Sequence, residues 1–135
     1  MPLMNWGAQY SVRVRKFDND HEHLFAMVND LNDAMRAGKG KQILKSVLLG
    51  LAAYTQQHFA AEEIAMKRTQ YPGYAAHMEE HRKLTTKVHD FVHDFEAGNA
   101  LVSVELLVFL RDWLENHINV TDKKYAAHMN ANGVC

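Results

Sequence analysis

Cysteine is almost missing from this chain: among 135 residues there is one, Cys135, at the last position. No intramolecular disulfide can form, which excludes a disulfide-stapled scaffold and suits a reducing, cytoplasmic compartment. Proline is nearly as scarce, at positions 2 and 72 only, so little interrupts helical structure between them. No apolar run is long enough to span a bilayer. The first residues, Met1-Pro2-Leu3-Met4-Asn5-Trp6, lack the charged start and apolar stretch of a secretory signal. An excess of one charge is missing too. With Lys+Arg 15 against Asp+Glu 16 the formal net charge is −1, so no basic face is expected for nucleic acid or an anionic membrane. What remains is an ordinary globular composition, 47% hydrophobic and 23% charged, in a chain long enough to bury a core. One residue type stands in excess: there are 9 histidines and no tag-like run of them. Scattered over a surface they would mean little; on a shared inner face they would be ligands.

Gly38-Lys39-Gly40, Tyr71-Pro72-Gly73 and Gly98-Asn99 divide the chain into long segments of helical periodicity with almost no internal Gly or Pro. Helices are expected near residues 19–37, 41–68, 73–96 and 103–129. Short connections between long helices predict an all-α fold, an up-down-up-down antiparallel four-helix bundle. Asp18 and Ser103 are the expected N-caps, each with an oxygen able to accept a free amide at a helix start. Residues 1–17, carrying Trp6, Tyr10, Val12, Val14 and Phe17, read as an extended N-terminal arm packed on the bundle. No repeat or low-complexity stretch appears, so residues 1–135 are expected to form a single domain.

Helical residues turn about 100° each, so spacing gives facing. With His77 as reference, His81, Leu84, Val88, Phe91 and Phe95 all fall within about 40° of it, on one apolar stripe. His89 and His93 fall about 120° and 160° away, and are expected on the surface. On the second helix, Leu44, Val47, Leu51 and Tyr54 make a stripe that continues through His58 and Glu62 to Ala65. On the first, His21 shares a face with Phe25, Val28 and Met35 while His23 points nearly opposite. On the fourth, His117 continues the line of Leu106, Leu110 and Trp113. In an up-down bundle these positions all lie toward the same end. Several imidazoles and a carboxylate in one core would be strongly penalised unless something satisfied them. A metal does so, because neutral imidazole and carboxylate are ready donors.

The motifs Asp18-Asn19-Asp20-His21, His58-Phe59-Ala60-Ala61-Glu62-Glu63, His77-Met78-Glu79-Glu80-His81 and His117-Ile118-Asn119-Val120-Thr121-Asp122 together resemble the hemerythrin family, in its single-domain bacterial form. Trp6, Ser11-Val12, the Tyr71-Pro72 turn and Trp113-Leu114 fit the same likeness, which runs over essentially the whole chain. The resemblance implies a non-haem di-iron centre with His77, His81 and His117 on one iron and His21 and His58 on the other. Glu62 and Asp122 would bridge both, with a solvent-derived oxo or hydroxo group. It further implies an open coordination position on the His21/His58 iron, where dioxygen would bind reversibly. Leu24, Phe59, Trp113, Leu114 and Ile118 lie within a turn of these residues and would line the oxygen pocket. Two positions depart from the bacterial pattern. Asp20 stands where Gln is usual, with His23 a competitor for His21 close behind, and Arg13 stands where a small residue is common.

His117 and Asp122 raise a geometric question. Five residues of regular helix amount to about 140°, so the two share a face only if a π-bulge or break widens the turn within 117–122. The main rival function is a di-iron oxidase, peroxidase or nitric-oxide-handling enzyme. Ferritin-like di-iron sites use Glu-x-x-His pairs and more carboxylates, and no Glu-x-x-His occurs here. A histidine-rich set supplies less anionic charge for high-valent iron, which favours oxygen carriage over enzymatic oxidation. An oxygen or iron sensor and an iron store remain as further alternatives. Structural zinc does not, since this donor set exceeds one tetrahedral site.

Overall fold

The computed structural model describes residues 2–135, so Met1 of the expected arm lies outside the described residues. Four long helices carry the fold: α1 (Arg15–Arg36), α2 (Lys41–Arg68), α3 (Tyr74–Glu96) and α4 (Val104–Asn116). They form an all-α four-helix bundle, with α1 against α2 and α4, and α2 against α3. Its core is built from the inward stripes, with Phe25, Leu31, Met66, Phe95 and Leu107 at most 2% exposed. Gly38 (φ 68) and Gly98 (φ 81) end α1 and α3 in the left-handed conformation that lets the following amides turn back onto the last carbonyls. No described helix is long and apolar enough to cross a membrane.

The start of α1 differs from the sequence expectation. The helix begins at Arg15 with Val14 as the preceding extended residue, so Asp18 lies within it and is not its N-cap. The Asp18 carboxylate reaches back to accept the Val12 amide at 2.8 Å and the Ser11 hydroxyl at 2.7 Å. A negative charge in the first turn is also favourable against the helix dipole. The arm is therefore shorter than expected and not wholly extended, since Ala8–Tyr10 forms a 3₁₀ turn. Its aromatic residues dock on α1, with Trp6 and Tyr10 each edge-on to Phe25 at 5.4 and 5.0 Å between ring centroids. Arg13 adopts φ 60, a left-handed conformation that costs a non-glycine residue about 1 kcal/mol. Hydrogen bonds hold it there: its amide donates to Ser11 Oγ, and its carbonyl accepts from Asn130.

At the other end, Ser103 caps α4 as expected, its Oγ accepting the Leu106 amide at 3.2 Å. The fourth helix is not one uniform rod to residue 129. After Asn116 it widens into a π-helical turn (His117–Thr121), tightens into a 3₁₀ turn (Asp122–Tyr125), and resumes as α5 (Ala126–Ala131). Replacing Ser103 by Ala removes the one side-chain cap on α4 and should lower stability by about 1 kcal/mol in denaturant titration; an unchanged midpoint would deny the cap any role.

Candidate metal centre

Each of the four bundle helices brings at least one imidazole to a common interior. His21 on α1, His58 on α2, His77 and His81 on α3, and His117 at the head of the π turn are all at most 3% exposed. Glu62 and Asp122 between them are 0% exposed. Asp122 arrives because the π turn replaces five residues of ordinary helix. Its amide donates to the carbonyl of His117, the wide spacing that sets residues 117 and 122 on one face. His23, by contrast, is exposed on α1, where its ring lies 4.4 Å from that of Tyr54. His89 and His93 are exposed on α3.

The two carboxylates divide their oxygens between two sets of imidazoles. Glu62 turns Oε2 to His21 and His58 (Nε2 at 3.5 and 3.4 Å) and Oε1 to His81 and His77 (3.2 and 3.9 Å). Asp122 turns Oδ2 to His21 at 3.1 Å and Oδ1 to His77 and His117 at 2.8 and 3.0 Å. Two groups able to hold a metal ion result, one of His77, His81 and His117 and one of His21 and His58, each including both Glu62 and Asp122. The approaches are close, yet Nε2 of His21, His58 and His77, Oε1 of Glu62 and both oxygens of Asp122 find no hydrogen-bond partner. Buried polar atoms left in this way are costly. They fit cations held at the centre of each group, and imidazole with carboxylate is a donor set suited to iron.

The outer faces of three rings are held by acids to which sequence reasoning assigned no role. His58 Nδ1 lies 2.8 Å from Asp20 of α1, His81 Nδ1 lies 2.8 Å from Glu63 of α2, and His117 Nδ1 lies 3.0 Å from Glu80 of α3. Each acid sits beside a ligand on its own helix and serves the ligand of the next helix. An acidic residue next to His21, Glu62 and His81 was the available signal; which partner it would reach depended on the packing. Thr121 donates to Glu80 at 2.9 Å, tying the π turn to α3, and the buried Tyr125 hydroxyl donates to Glu62. Stacking fixes three rings further: Phe59 on His81 at 3.7 Å and 3°, Trp113 on His117 at 4.4 Å and 14°, and Tyr125 on His77 at 5.6 Å and 21°.

An apolar cavity of about 100 Å³ adjoins the cluster, with Leu24, Phe59, Trp113 and Leu114 in its wall. Ile118, expected beside them, is packed in the core at 0% exposure and is not part of that wall. Thr55 and Lys87 are the polar residues of the lining, and the Lys87 ammonium lies 4.0 Å from the centre of the Phe109 ring.

Burial opposes charge on His21, His58, His117, Glu62 and Asp122, and the neighbours decide the outcome. His21 is raised from 6.5 to about 9, because Asp122 and Glu62 outweigh its burial. His58 and His117 reach about 9 for the same reason, through Glu62 with Asp20 and through Asp122 with Glu62 respectively. Glu62 and Asp122 are held well below the usual carboxylate range despite burial, with His58 and His117 respectively as leading counter-charges. Burial and the same two carboxylates push the Tyr125 hydroxyl well up, so it stays a donor.

A family model described as "Hemerythrin HHE cation binding domain" matches residues 12–129. The chain is 39% identical over 132 residues to a bacteriohemerythrin of Methylococcus capsulatus, covering 97% of this chain and 100% of that protein. It is 30% identical over 120 residues to a myohemerythrin of Theromyzon tessulatum, covering 89% and 88%. A crystal structure of wild-type hemerythrin superposes with a TM-score of 0.89 at 37% identity, covering 94% of this chain and 98% of that one.

The raised imidazoles have two measurable consequences. A bound imidazole must be neutral, so metal uptake at pH 7.5 should expel protons from His21, His58 and His117, and a pH-stat titration should record less release above about 9. Uptake without proton release would place the metal elsewhere. In the metal-free protein these raised values stabilise the fold fully below 6.5, and that contribution is lost as pH rises through about 9. Its thermal midpoint should fall across that window.

Proposed function

The chain belongs to the hemerythrin family, and from that premise we propose that it is a cytoplasmic non-haem di-iron protein that binds dioxygen reversibly, for carriage, storage or delivery. The observation that carries this reading is the division of Glu62 and Asp122, one oxygen of each toward either set of imidazoles. That division supports two metal positions, each with Glu62 and Asp122 among the residues that would hold it. His77, His81 and His117 would hold one iron and His21 and His58 the other, all within a single domain. Iron held there would supply the electrons for reversible dioxygen binding, and the His21/His58 group, with one histidine fewer, is the side where dioxygen would bind.

The chain's own residues do the rest. Phe59 and Trp113 stack on His81 and His117 and so limit the movement of those rings, while Asp20, Glu63 and Glu80 orient three imidazoles from behind. Leu24, Phe59, Trp113 and Leu114 present a largely apolar wall that would limit the access of water and protons. The exposed thiol of Cys135 is the only one in the chain and accords with a reducing compartment. A carrier fits the donor set better than an oxidase, because imidazoles outnumber the carboxylates that would stabilise iron in high oxidation states.

The test is an oxygen cycle. Ferrous iron is loaded anaerobically, oxygen is admitted and then removed, and the visible spectrum is followed throughout. A charge-transfer band that appears with oxygen and disappears on its removal is the expected result; irreversible oxidation with substrate turnover would favour an enzyme. In the same assay His21→Ala should abolish the band and His23→Ala should leave it unchanged.

A further inference from the structure

Of the His21/His58 pair, only His58 has its outer nitrogen held by the protein. Its Nδ1 lies 2.8 Å from Asp20 Oδ2, whereas His21 Nδ1 has no partner. Asp20 is itself buried and gripped from the other side. The Tyr54 hydroxyl donates to Oδ1 at 3.0 Å, and the Lys16 ammonium lies 3.1 and 3.2 Å from its two oxygens. The Tyr54 ring rests against the exposed ring of His23. A continuous string of side chains thus runs from the surface through Tyr54 and Asp20 to His58. The corresponding acids behind His81 and His117 are in a different setting: the side chains of Glu63 and Glu80 are 26% and 43% exposed, against 7% for Asp20. Solvent screens them and does not screen Asp20. Lys16, at 68% exposure, is partly screened, but its contact with both oxygens draws on the Asp20 charge as well and is the same in wild type and Tyr54→Phe.

We propose that Asp20 is a positioning residue for His58, and that Tyr54 regulates how much of the Asp20 negative charge reaches that imidazole, so that the pair tunes the metal on the His21/His58 side. This rests on the two-iron reading. A carboxylate accepting Nδ1–H fixes the tautomer that leaves the Nε2 lone pair facing inward, and makes the ring a stronger donor. A stronger donor favours the oxidised metal. The Tyr54 hydrogen bond works against this by drawing charge from the far oxygen of Asp20. The two side chains therefore act with opposite sign on one metal position. Nothing behind the His77, His81 and His117 group reproduces the arrangement, because neither Glu63 nor Glu80 accepts a phenolic hydroxyl.

The experiment measures the midpoint potentials of the iron-loaded full chain, and the release of ferrous iron to a chelator, in wild type, Asp20→Asn and Tyr54→Phe. Asp20→Asn keeps an acceptor for Nδ1–H but removes the charge. It should move one of the two potentials positive and speed loss of one iron roughly ten- to hundredfold. Tyr54→Phe removes only the hydroxyl and should move the same potential negative with iron retention unchanged. A purely structural role predicts that both variants loosen the site and shift in one direction. Shifts of the same sign, or no shift with two irons bound, overturn the tuning role and leave the di-iron reading intact. Wild type that retains fewer than two irons overturns the di-iron reading and the tuning role with it.

Discussion

Two fully buried carboxylates set the terms for this fold. Glu62 and Asp122 have no exposure to solvent, and an ionised carboxylate is tolerated in a low-dielectric interior only when cationic or donor groups surround it. Imidazoles from every bundle helix do so, and those of His21, His58 and His117 hold raised pKa values in return. The register of each helix follows. A slip of one residue would turn a ligand by about 100° and strand a charge in hydrocarbon. The apolar stripes could tolerate some sliding of helix on helix; the charges cannot.

The departure from regular helix at the end of α4 belongs to the same constraint. A π-helical turn weakens local hydrogen bonding and is uncommon, yet here it is what delivers Asp122 opposite Glu62. Its disturbance is contained. Thr121 anchors the turn to Glu80, Tyr125 closes over Glu62, and the chain is helical again by Ala126. The cavity alongside shows the opposite regime, apolar side chains with no buried charge to satisfy. The cluster of polar donors and this mostly apolar space meet at Phe59 and Trp113, which line the cavity with one edge and stack on His81 and His117 with their faces.

Much of this was legible in the residues because helical facing follows from spacing. The stripe through His77 and His81 is buried, and His23, His89 and His93 are exposed, as the arithmetic of turns requires. The need for a widened turn between His117 and Asp122 also followed from spacing, given that both face inward. Other features lay beyond reach. Asp18 has the chemistry of an N-cap, but the arm's need for an acceptor at the Val12 amide and the Ser11 hydroxyl drew it into a different task, and α1 began earlier. Asp20, Glu63 and Glu80 sit on flanks of their helices that look solvated in one dimension. Only the approach of the next helix turns those flanks into second contacts for a ligand. Ile118 is adjacent to a ligand and apolar, which marks it equally for core and for cavity; the π turn directs it to the core.

The three links from acid to imidazole run in one direction, α1 to α2, α2 to α3, α3 to the end of α4, and do not return from α4 to α1. His21, at the unclosed position, is neighboured by Trp6 of the arm instead. The unit that orients each of these three rings is then neither the ring nor the helix that bears it. It is a pair split across two helices, 38, 18 or 37 residues apart. A change at Asp20, Glu63 or Glu80 is therefore felt first by a histidine on the next element along the chain, not by the cluster residue beside it.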